Sequence, residues 1–112
     1  MAGKFELNTS SKGKFFFNLK ASNGQIILSS EMYESKSGAE NGIASVKKNA
    51  ADDARYEKLT ASSGEPYFVL KASNGEPIGR SETYSSQAAL ENGIESVKTN
   101  APDAVIVETG AA

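Results

Sequence analysis

The fold class predicted by the sequence is α+β: two tandem βββαβ-type repeats forming one antiparallel sheet, with both helices packed on it and a pseudo-twofold axis between the halves. Three observations carry this. First, sliding the 112-residue chain against itself by 51 positions lays Leu19-Lys20-Ala21-Ser22-Asn23-Gly24 on Leu70-Lys71-Ala72-Ser73-Asn74-Gly75, and Glu40-Asn41-Gly42-Ile43 on Glu91-Asn92-Gly93-Ile94. Comparing Lys4–Ala50 with Arg55–Ala101, 25 of 47 aligned positions are identical without a gap, so the chain is a tandem duplication whose copies share one fold. Second, within each copy the apolar pattern changes from period 2 to period 3.6, strands followed by a helix. Third, a copy of about 50 residues buries too little surface to be secure alone. No Gly/Ser/Pro linker separates the copies, so residues 1–112 read as one domain with repeat 1 at 4–53 and repeat 2 at 54–108.

Lys4–Thr9 alternates Phe5 and Leu7 with polar neighbours, and after Ser10-Ser11-Lys12-Gly13 a second strand runs from Lys14 to Ala21. Asn23-Gly24 then turns the chain, because both residues tolerate the positive φ of a tight connection. A two-residue loop sets Leu19 opposite Leu28; a three-residue loop with Gly24 as a bulge sets it opposite Ile27. In repeat 2, Leu28 is replaced by Gly79 and Ile26 by Pro77, whereas Ile27 persists as Ile78. That favours the bulged turn, with Phe15, Phe17, Leu19 and Ile27 on one buried face, Phe68, Leu70 and Ile78 matching them, and Lys20 and Lys71 on the other side. Pro77 suggests an edge position or an irregular strand start.

Ser35 and Ser86 fit as N-caps of helices of about 14 residues, with Ala39, Ile43, Val46 and Ala50, then Leu90, Ile94, Val97 and Ala101, at helical spacing. Gly42 and Gly93 each cost roughly 1 kcal/mol relative to alanine, which close approach of helix backbone to the sheet would explain. Ala54–Thr60 and Ala104–Glu108 read as strands, and Pro102 stops the second helix.

Composition excludes much chemistry. Cysteine and histidine are both absent, which removes thiolate nucleophiles, disulfides, the usual zinc and iron–sulfur sites and the imidazole base of hydrolytic triads. No glycine run matches GxGxxG or GxxxxGK. Twelve basic against 14 acidic residues, net charge −2, argue against dependence on nucleic-acid phosphates. No apolar window approaches a membrane span, and Met1-Ala2-Gly3-Lys4 leads straight into a patterned strand, so no membrane partner and a cytoplasmic location are expected.

Each copy also carries Lys-Ala-Ser-Asn-Gly, then Ser-Glu-x-Tyr, then Glu-Asn-Gly-Ile-x-Ser-Val-Lys-x-Asn-Ala. In this combination the chain resembles the YegP-like family of small bacterial proteins over roughly Lys4–Glu108. The resemblance implies units of three strands, one helix and a last strand that build one sheet by exchanging their last strands, so that Arg55–Thr60 and Ala104–Glu108 cross to the opposite unit. It implies no activity, substrate or cofactor, and so no site residue to carry over. Pro66 for Phe15 and Gly79 for Leu28 depart from the repeat, and a less fully packed face is expected in repeat 2.

The polar residues kept in both copies have the claim on function. Lys20 and Lys71 are placed to meet an anionic ligand, against the plainer reading of solvated strand lysines. Glu31 with Tyr33, and Glu82 with Tyr84, stand between third strand and helix; such a tyrosine packs its ring under the helix start, or lines a shallow pocket shared across the pseudo-twofold axis. Asn41 and Asn92 are poor helix formers in mid-helix, suited to bonding the sheet or meeting a partner at a small-residue dent. No catalytic, metal-ligating or cofactor-binding residue is assigned. The leading reading is a non-enzymatic module, monomeric with an internal pseudo-twofold, that binds a protein or small molecule. One alternative is weak nucleic-acid binding through Lys14, Lys20 and Lys71 with Phe16 and Tyr67. The other is a small enzyme using Glu31, Tyr33, Glu82 and Tyr84 as acid–base groups.

Overall fold

The structure is a computed structural model and describes residues 3–111; Met1 and Ala2, read above as the lead into the first strand, lie outside them, as does Ala112. Repeat 1 forms β1 (Lys4–Thr9), β2 (Phe15–Lys20), β3 (Ile26–Ser30) and α1 (Lys36–Asn49). A single 3-10 turn at Asp53–Arg55 leads into β4 (Tyr56–Thr60), β5 (Pro66–Lys71), β6 (Pro77–Arg80), α2 (Gln87–Asn100) and β7 (Val105–Ala111). The seven strands make one sheet in the order β4-β5-β6-β3-β2-β1-β7. Its two halves meet where β3 pairs with β6, Ser29 facing Arg80 and Ser30 facing Gly79.

The sheet is mixed, not purely antiparallel: β7 runs parallel to β1, with Lys4 beside Val105 and Glu6 beside Val107. Parallel neighbours cannot be joined by a tight hairpin and need a long crossover. Here α2 carries the chain from β6 across to the far edge, so the direction of β7 is set by that crossing. Each strand that follows a helix pairs with the other repeat, β4 on β5 and β7 on β1.

The turn is as expected, but the register beyond it is not. Gly24 donates to the Ala21 carbonyl at 2.9 Å, Ala21 pairs with Gln25, and Gly24 has φ +86°, the positive value the bulged turn needs. A second irregularity follows at once: Lys20 faces Ile26 but Leu19 faces Leu28. Ile27 is the extra residue of a β-bulge, so it and Leu28 are both buried instead of alternating. Repeat 2 repeats this, with Lys71 facing Pro77 and Leu70 facing Gly79. Pro77 is therefore the start of a central strand beside a bulge, not an edge residue.

The change from Leu28 to Gly79 follows from the symmetry. A Cβ built on Gly79 would lie 2.9 Å from the Ser29 carbonyl oxygen and 3.0 Å from the Leu28 Cγ. Residues 28 and 79 share one space beside the pseudo-twofold axis, which admits one large side chain, and Leu28 fills it completely buried. Repeat 2 is not underpacked there, as its sequence suggests; its partner supplies the volume.

Ser35 and Ser86 accept the amide hydrogens of Gly38 and Ala89, capping the helices. Both helices lie on one face over a single core in which Phe5, Phe17, Leu19, Leu28, Val46, Phe68, Leu70, Leu90 and Val97 are fully buried. α1 packs on β2 of its own repeat and on β5 and β6 of the other, and α2 on β5 and β3. The radius of gyration, 13.3 Å, matches the ~13 Å of one compact body of this length.

Candidate functional site

A serine begins the site in each repeat. The Ser30 hydroxyl accepts the Phe17 amide hydrogen (2.8 Å) and donates to the Glu31 carbonyl (2.7 Å); Ser81 does the same for Phe68 (2.9 Å) and Glu82 (2.8 Å). This turns the chain out of the strand and brings the following tyrosine back under the helix. Tyr33 stacks on Phe17 (6.1 Å between centroids, 12° between planes) and Tyr84 on Phe68 (6.3 Å, 9°). Tyr33 exchanges two backbone hydrogen bonds with Phe15. In repeat 2, Tyr84 donates to the Pro66 carbonyl at 2.8 Å, and Pro66 has no N–H to give back.

These tyrosines explain the helix glycines better than close backbone approach does. A Cβ on Gly42 would sit 2.4 Å from the Tyr33 hydroxyl oxygen, and one on Gly93 2.2 Å from that of Tyr84. Gly93→Ala is therefore expected to lower stability by about 2 kcal/mol, overpacking outweighing the ~1 kcal/mol of better helix propensity. In a Tyr84→Ala background the same change is expected to become neutral or favourable, because the colliding ring is gone. Urea unfolding of the four proteins measures this coupling; additive losses would mean the ring does not set the residue.

Burial raises the Tyr33 and Tyr84 phenols above their ordinary range, with Glu31 and Glu82 adding to it. Tyr56, more deeply buried with its hydroxyl donating to the Ala50 carbonyl at 2.7 Å, is raised most, chiefly by desolvation. A raised folded-state pKa favours the protonated fold, so this contribution is complete below the ordinary tyrosine value of about 10 and is lost as pH rises above it. Stability measured by denaturant at pH 8 to 12 is expected to fall beyond pH ~10, and Tyr56→Phe to flatten that fall.

The pseudo-twofold places the β2–β3 hairpin of repeat 1 beside the start of α2, and between them opens a cleft of about 720 Å³. From repeat 1 it takes Lys20, Asn23, Gln25, Ile26 and Ile27; from repeat 2, Glu82, Thr83, Tyr84, Asn92, Gly93 and Ser96. Four sequence candidates, Lys20, Glu82, Tyr84 and Asn92, are thus brought together from opposite repeats. Glu31, Tyr33, Asn41 and Lys71 are not in this cleft. Lys20 belongs to its wall, but its ammonium is bonded to Glu6 at 3.1 Å, and that of Lys71 to Glu57 at 2.6 Å. Gln25, Thr83 and Ser96 escaped the sequence reading. Asn92 and Ser96, four apart on one helix face, were a signal for part of the set; the hairpin's share needed the arrangement of the repeats.

Among the described residues no group of three or more His, Cys, Asp or Glu is placed to hold a metal ion, and no helix is long and apolar enough to cross a membrane. The family model described as "Domain of unknown function (DUF1508)" matches twice, at residues 10–57 and 61–108. The chain belongs to the DUF1508 family. It is similar to UPF0339 proteins of Bordetella pertussis, 58% identical over 93% of this chain and 93% of that one, and Mannheimia succiniciproducens, 55% identical over 93% and 92%. YegP of Yersinia pestis is 55% identical over 93% of both chains. The solution structure of yegP from E. coli superposes with TM-score 0.93 at 50% identity, covering 98% of this chain and 95% of that one. A UPF0339 protein of Shewanella oneidensis gives TM-score 0.92 at 50% identity, covering 98% and 93%.

Proposed function

We propose that this DUF1508 protein is a non-enzymatic binding module, working as a cytoplasmic monomer in which residues 4–53 and 54–108 act as one domain, and that its ligand site is the cleft between the repeats. The observation that carries the reading is the convergence of Lys20, Glu82, Tyr84 and Asn92 from both repeats on one 720 Å³ opening, a size in the range of small-molecule sites.

The other readings fare less well. Catalysis near pH 7 needs acid–base groups tuned toward neutrality, whereas burial moves Tyr33 and Tyr84 away from it. The lysines proposed for nucleic acid are each bonded to a carboxylate of the chain: Lys14 to Glu34 at 2.7 Å, Lys20 to Glu6 and Lys71 to Glu57.

Native mass spectrometry after incubation with a bacterial metabolite extract tests the proposal. The intact protein is expected to retain a small molecule, and Asn92→Trp, which fills the cleft from an exposed helix position, to lose it with an unchanged thermal midpoint. Equal retention by both proteins, or chemical turnover of the retained molecule, would overturn it.

A further inference from the structure

The pseudo-twofold equates β1 with β4, yet the two are finished differently. The outer side of β1 carries β7 in parallel, Phe5 beside Ile106 and Glu6 beside Val107. β4 ends the sheet, and among the described residues no strand pairs with its outer side. The reason lies in the duplication. The strand after α2 crosses to β1; the strand after α1 is β4 itself, so one segment serves both as the end of repeat 1 and as the first strand of repeat 2. One strand is therefore missing from an otherwise symmetric eight-place sheet.

The two edges share one ion pair, although Lys58 stands in β4 where β1 has the buried Leu7. Glu6 of β1 bonds to Lys20 of β2 at 3.1 Å, and the equivalent Glu57 of β4 bonds to Lys71 of β5 at 2.6 Å, each pair lying on the side of its strand away from the outer edge. Edge strands are ordinarily guarded by charges. Here Lys58 is turned to Glu91 of α2 and Glu57 to Lys71, so both guards are neutralised within the chain. β7 shows what such an edge accepts. Val105, Ile106 and Val107 remain 63%, 45% and 38% exposed, so its seat on β1 depends on backbone pairing and β-branched strand propensity more than on burial, with a Lys36–Glu108 ion pair at its middle. Gln87 stands where Lys36 does and bonds to Glu91, so no acidic residue is required of an occupant at β4.

We infer that the outer edge of β4 is a strand-acceptor site for an extended segment of another protein, β-branched and apolar like Val105–Val107, that adds in parallel beside Tyr56–Thr60. This is recognition by strand addition, in which main-chain hydrogen bonds supply most of the affinity. It is separate from the cleft and stands or falls independently of it.

The probe is a synthetic peptide of residues 103–111 of this chain, added to the full-length protein and followed by amide chemical shifts and hydrogen exchange. The expected result is shift changes and at least tenfold slower exchange confined to Tyr56–Thr60, with a peptide carrying Ile106→Pro having no effect. Absence of binding at millimolar peptide would overturn the inference. So would changes at Lys4–Thr9, which report displacement of the resident β7, or changes at the outer edge of β7.

Discussion

Residues 1–53 expressed alone are expected to be unfolded or dimeric, never a stable monomer. Cutting there removes β6, the neighbour of β3, and β7, the neighbour of β1, and strips α1 of the β5 and β6 surface it packs against. Leu28, fully buried in the intact chain, becomes exposed. Domains have only about 5–15 kcal/mol of net stability, and losing half of one core exceeds that margin. The axis adds a sharper expectation. A dimer of repeat 1 brings two leucines into the space that Leu28 shares with Gly79, while a dimer of repeat 2 leaves two glycines and a void. An equimolar mixture of residues 1–53 and 54–112 is therefore expected to form the heterodimer in preference to either homodimer. Sedimentation and circular dichroism of the three samples measure this, and a folded monomeric half would contradict the shared core.

The second large effect is at the same place. Leu28→Ala is expected to destabilise by about 3–5 kcal/mol, the range for a buried leucine whose cavity cannot collapse, and Gly79→Leu alone by ~3 kcal/mol through overpacking. The exchange Leu28→Gly with Gly79→Leu should recover most of the loss, to within ~2 kcal/mol of the parent, because the two sites are related by the pseudo-twofold and the summed volume is unchanged. Chemical unfolding of the parent, Leu28→Gly, Gly79→Leu and the exchanged protein gives the comparison. Losses that simply add would show that the two positions do not share one space.

Much of this architecture was written in local pattern. The duplication, both N-cap serines, the helix spans and the inward residues Phe17, Leu19, Phe68 and Leu70 follow from spacing and capping chemistry, which act over a few residues. The Asn-Gly turn was legible for the same reason. The register after it was not, because two irregularities lie within six residues and the bulge at Ile27 has no residue type of its own. Gly42 showed that something approaches the helix, but not that it is the Tyr33 hydroxyl.

For the site, the sequence marked the residues kept in both copies without showing how they group. Lys20 shares a cleft with Glu82, Tyr84 and Asn92, not with its own repeat's Glu31, Tyr33 and Asn41, because the axis lays one hairpin against the other helix. By itself the chain determined what is local: repeat, elements, caps and core faces, each governed by neighbours within about a helical turn or a strand pair. Only the tertiary structure decided the parallel seat of β7, the space shared by Leu28 and Gly79, and the cleft. Those depend on contacts between residues some 50 or more positions apart, which no period in the sequence encodes.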